Sequence, residues 1–193
     1  YGSSDLNTPD PYHASALFRA YPSGFTIFPV ARLGSTSLIW LQALSSIGSD
    51  LRGEKVALSV AGRSFLTDAV DASTYAANFS ALQAGELAFS THLGFHLKRE
   101  AARRMLEYPA TLSHEPLLRF ALEQLAGDTW TQRALYYVAL PLGKLQNLVR
   151  RLQDAWETRR FIESQVGIAP VDRRSAEIDW EEVARAAGVA AQR

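Results

Sequence analysis

The 193-residue chain contains no cysteine. Disulfides, thiolate metal sites and a cysteine nucleophile are therefore all excluded, and the redox compartment leaves no trace in the composition. Net charge is absent too, with 20 basic residues against 20 acidic ones. No global field draws the molecule toward nucleic acid or an anionic membrane, although a local patch can still form. Long apolar runs are missing: Ala134–Leu142 is uncharged for nine residues, far short of the roughly 20 that cross a bilayer. Residues 33–49 are also uncharged, but glycine and serine interrupt them, as in a buried helix. The chain opens on Tyr1 rather than Met, so a leader removed or a sequence trimmed are both open, and the compartment is not readable.

Short catalytic signatures are equally scarce. Neither phosphate-binding glycine pattern occurs, and Ala61-Gly62-Arg63-Ser64 lacks the second glycine of a nucleophile elbow. No cofactor is implied. What is present in quantity is apolar surface: 47% of residues are hydrophobic and 21% charged, enough for a soluble globular core and too apolar for disorder.

Periodicity divides the chain. Residues 1–11 carry Gly, Ser, Asn, Asp and two prolines and predict an irregular lead-in. Residues 12–167 predict one globular domain, mixed α and β to about 108 and helical over 113–166. Residues 168–193 predict a linker and a C-terminal amphipathic helix, with Asp179 and Glu182 as a capping box. That tail resembles the first helix and turn of a helix-turn-helix over about twelve residues, through Ala184, Gly188 and Val189.

Within the domain, Ser35 opens a predicted helix that Gly48 ends. Lys55–Val60 and Ser64–Val70 flank a glycine turn and predict a hairpin. Ala72–Ala84 predicts a helix bounded by Gly85. In residues 87–97 the apolar side chains fall at odd numbers, which favours a strand over a helix. Ser113 and then Asp128 or Thr129 cap two further helices, with a break expected near Pro141 and Gly143. The fold class is thus α+β, predominantly helical, with a small antiparallel sheet or hairpin in the first half packed on a helical second half. Trp40, Trp130, Trp156 and several leucines are its expected core.

The stretch Leu142–Ile162 carries the clearest pattern. Leu142, Leu145, Val149, Leu152 and Trp156 recur at alternating steps of three and four, forming one helical seam flanked by Arg150, Arg151, Arg159 and Arg160. The helices just upstream can fold back onto this seam, leaving the arginine flank for an outside partner. The leading functional reading is a non-catalytic protein-interaction or structural subunit of a larger assembly, docking through residues 142–162, with a protein partner or self-association. A second reading rests on basic pairs. Lys98–Arg104 and Lys144–Arg160 each carry a net +3, which suits a nucleic-acid accessory protein whose affinity falls with salt. A third is an enzyme with an unrecognised site at His92 and His96, four residues apart and also the weak candidates for a metal. Ordinary half-exposed histidines opposite an apolar strand face are the simpler reading of that spacing.

Overall fold

The computed structural model describes residues 27, 29–48, 50–59 and 71–165. Their helices start where side chains can take up the free amides of a first turn. Thr36 caps α1 (Ser37–Ile47) by accepting from the Ile39 amide, and Gly48 follows its last turn. Asp71 does the same for α2 (Ala72–Asn78), accepting from the Thr74 amide at 2.8 Å. Ser80 caps α3 (Ala81–Phe89). α4 (Phe95–Leu106) carries Arg103 and Arg104 in its last turn, where cations offset the helix dipole. A 3-10 turn (Pro109–Leu112) leads into α5 (Pro116–Ala126), which begins with proline at its first position and ends before Gly127. Thr129 then opens α6 (Trp130–Gln165): its hydroxyl accepts from the Gln132 amide while the Gln132 side chain accepts from the Thr129 amide. That reciprocal pair is a capping box.

The core follows from helical spacing. In α5, Leu118, Ala121, Leu122 and Leu125 are fully buried, and in α4, Ala101, Ala102 and Met105 meet them. α3 is the hub of the bundle, packing on α1, α4, α5 and α6. It contributes Ala84, Leu87, Ala88 and Phe89 to the same cluster. Each fully buried Leu, Met or Phe is worth about 1.5–3 kcal/mol of transfer free energy.

Several expectations are corrected. Helix accounts for 71% of the described residues and none forms a strand, so the α+β class gives way to a helical one. Residues 55–59 are irregular and all but Ser59 are exposed; the second arm of the expected hairpin lies outside the described residues. The odd-numbered alternation at 87–97 is the end of α3, a bend and the start of α4, each burying its own apolar side chains. Gly85 does not stop a helix but sits inside α3, while the chain breaks instead at Phe79 and Ser80. The expected break at Pro141 is absent as well. α6 runs through it, since the lost amide would have bonded the carbonyl of exposed Tyr137, which water can reach. Of the three core tryptophans, Trp40 is buried, whereas Trp130 and Trp156 are exposed. The lead-in and the C-terminal helix lie outside the described residues.

Candidate functional site

The two sides of α6 are chemically inverted. The side facing the bundle carries Tyr136, Ala139, Gly143 and Asn147, all buried, with Arg150 half-buried beyond them. Leucines are nearly absent from it. The reason is close approach. A side chain on Gly143 would overlap the Phe89 ring, and one on Gly85 would overlap the Asn147 amide, so paired glycines let α3 and α6 pack backbone against ring and amide. Glycine inside a helix costs about 1 kcal/mol relative to alanine, and this packing offsets it.

Polar groups lock the same interface. Tyr136 donates its hydroxyl to the Ala88 carbonyl at 2.8 Å, and Lys98 donates to Tyr136 at 2.7 Å and to the Ser90 carbonyl at 2.9 Å. Ala88 and Ser90 close α3, whose last carbonyls have no partners within the helix. A buried ammonium and a phenol from two other helices thus cap it, and the cation also suits the dipole. Burial pulls the Lys98 ammonium below the usual lysine range, with the like charge of Lys144 adding to the effect. Burial pushes the Tyr136 hydroxyl up to about 12. In α1, Gln42 donates to Tyr75 at 2.9 Å, and burial pushes that hydroxyl up to about 12 as well.

The arginine pairs work inward. Arg150 pairs with Glu115 at the head of α5, both largely buried. Arg151 bonds Glu86 of α3 at 2.6 Å and the Ser46 carbonyl at the end of α1 at 3.2 Å. Arg99 and Arg103 meet Asp128, and Arg159 meets Glu163 one turn on. Arg160 lies over the Trp156 ring at 4.5 Å. Sequence reasoning placed Arg150 and Arg151 on an outward flank; the structure uses them to pin α6 to three other helices. The basic runs that suggested a phosphate grip are largely spent in this way.

The seam points outward, roughly a third of a turn from the buried side at about 100° per residue. It is also longer than the five residues of its sequence signature. Leu135 and Val138 extend it upstream in the same register, giving seven positions from Leu135 to Trp156. Their exposures run from 47% to 71%, so the expectation that the chain's own helices cover this seam is corrected. From Arg151 to Ser164 every residue is exposed, because α6 projects past the bundle.

His92 lies in the bend between α3 and α4 and His96 in the first turn of α4, both exposed. No cluster of three or more metal-ligating side chains occurs among the described residues. A cavity of about 110 Å³ lies between α1 and α3, beside Arg32, Trp40 and Gln83. Small-molecule sites run to roughly 300–1,000 Å³, so it holds little more than water. None of the described helices is long and apolar enough to cross a membrane.

The described fold therefore defines a class: a helical bundle with one long helix that projects from it and keeps an apolar seam uncovered. The whole sequence, residues 1–193, matches the family model described as DltD protein, and the chain belongs to the DltD family. It is similar to Protein DltD of Bacillus subtilis (strain 168), with 33% identity over 135 residues, covering 70% of this chain and 34% of that protein. Protein DltD of Staphylococcus aureus is 26% identical over 121 residues, 63% of this chain and 31% of the relative. Protein DltD of Lacticaseibacillus rhamnosus is 24% identical over 161 residues, 83% of this chain and 37% of the relative. The chain spans about a third of the length of these curated relatives. No solved structure matches it. Family membership indicates a specific function and overturns the reading of a generic non-catalytic subunit.

Proposed function

We propose that the chain serves the D-alanine esterification of teichoic acids as part of a DltD-type protein, working with protein partners in that pathway. One observation carries this reading: the family match runs over residues 1–193, and a relative at 33% identity aligns over 70% of the chain. Because the chain aligns with only about a third of each relative's length, the test is a chimera. The matching segment of the Bacillus subtilis DltD protein is replaced by this chain in a strain lacking its own copy, and ester-linked D-alanine on teichoic acid is measured. Restoration toward the parental level is expected. A chimera that accumulates normally yet leaves the ester content at the level of the deficient strain would refute the proposal.

A further inference from the structure

We propose that the outer face of α6 lies on an anionic lipid surface, with the helix axis in the plane of the bilayer. The seam from Leu135 to Trp156 covers about 100° of the helix circumference at 100° per residue. Trp130, Tyr137, Pro141 and Leu148, all exposed, adjoin it on one side and widen the apolar sector to about 160°. At 1.5 Å per residue the sector runs for about 40 Å along the axis. No charged side chain enters it before Arg159. α3 and α5 pack on the opposite side of the helix and leave the sector clear.

Charge along the edge of the sector selects the occupant. Residues 130–153 hold four basic side chains and no acidic one. Three of them, Arg133, Lys144 and Arg151, fall within about 20° of one another, just beyond the edge that Tyr137 marks. They form a row parallel to the axis, on the side where Trp130 and Tyr137 carry polar tips on aromatic bodies. This is the layout of an interfacial helix. Its apolar side chains reach about 5–10 Å into the acyl boundary, while aromatic tips and cations stay at the headgroups. Arg151 already bonds Glu86, so Arg133 and Lys144 are the cations left for lipid phosphate. Neither has an acidic partner among the described residues: Arg133 lies over the Phe95 ring at 4.6 Å, and Lys144 meets the like charge of Lys98. The chain as a whole is neutral, so the attraction belongs to this edge alone.

Co-sedimentation with vesicles tests this. The intact chain is expected to bind vesicles of phosphatidylglycerol and phosphatidylcholine in equal parts at low salt, and phosphatidylcholine alone about tenfold more weakly or worse. Arg133→Gln/Lys144→Gln should weaken binding to the anionic vesicles about thirtyfold, since each cation near such a surface contributes about fivefold. Leu142→Asp/Leu145→Asp should abolish it while keeping the helical circular dichroism. Lipid brominated on its acyl chains should quench Trp130 and Trp156, read as quenching lost in Trp130→Phe and Trp156→Phe, whereas buried Trp40 keeps its emission. No binding to the anionic vesicles would overturn the proposal, as would equal binding to the neutral ones or binding that survives Leu142→Asp/Leu145→Asp. Should that variant misfold, the quenching decides: bound chain with Trp130 and Trp156 unquenched would place the lipid on another surface.

Discussion

The two faces of α6 invert the usual rule of burial. The inner one is built from glycine, alanine, asparagine, tyrosine and arginine; the outer one from leucine, valine and tryptophan. Burial on the inner face is set by how closely α3 can approach, and only small residues permit the Gly143–Phe89 and Gly85–Asn147 contacts. What it lacks in apolar area it recovers through directed bonds, from Tyr136 to Ala88 and from Arg150 to Glu115. The outer face has no such bonds to the bundle and contributes little to its stability. On this helix, hydrophobicity marks what is left available rather than what is already packed.

The sharpest way to break the contrast is Gly143→Ala. Its methyl group would overlap the ring of Phe89, which is 2% exposed and has nowhere to move. A loss of about 3 kcal/mol is expected from such overpacking. For a domain of this size that lowers the melting temperature by about 10 °C, read by circular dichroism. An unchanged melting temperature would mean that the two helices are not in close contact.

Alkaline titration probes the same face through Tyr136, with a smaller effect per residue, and reaches Tyr75 on α2 as well. Burial pushes Tyr75 and Tyr136 up to about 12, while an unfolded tyrosine ionises near 10. Between those values the unfolded chain has released protons that the folded chain keeps, so stability falls as pH rises. The loss reaches about 2 kcal/mol per tyrosine by pH 12. Lys98 runs the other way, since its lowered value lets the folded chain shed a proton first and removes the cost of burying the charge. Melting curves from pH 9 to 12 should show the net decline, and Tyr136→Phe should remove close to half of it. A slope identical in Tyr136→Phe would show that this hydroxyl is not sequestered.

The smallest effect is expected outside. Leu142→Gln changes a side chain that is 59% exposed, and the midpoint of urea unfolding should shift by no more than about 0.5 kcal/mol in stability. A cost of several kcal/mol would mean that another part of the molecule covers the seam.

Local chemistry was legible in part and tertiary geometry was not: Gly85 and Pro141 sit inside helices, and the caps expected at Ser35 and Ser113 fall at Thr36 and Glu115. The end of α1 at Gly48 and the cap at Thr129 depend on residues within one turn, and both were readable. Residues 87–97 misled because Leu87 and Phe89 belong to one helix and Phe95 and Leu97 to the next, so a chance alternation crossed a boundary. The seam was recognisable as one helical face, but its direction depends on what Gly85 and Gly143 allow between segments 58 residues apart. Lys98 and Arg150 were counted as surface charge, because nothing within their own helices reveals Tyr136 or Glu115. The family was not read from short motifs and became visible in matches spanning most or all of the chain.

The projecting end of α6 has a thermodynamic consequence of its own. Residues 152–164 are exposed, beyond the Arg151 contacts with the bundle, and isolated helices shorter than about 12–15 residues are marginal in water. Cooperative unfolding of the bundle therefore need not include this end, which undergoes its own helix–coil equilibrium. Its helicity rises with whatever contact covers Leu152 and Trp156, so part of any binding free energy is spent on ordering backbone. Affinity measured at this helix will accordingly depend on temperature more steeply than a contact between two rigid surfaces would.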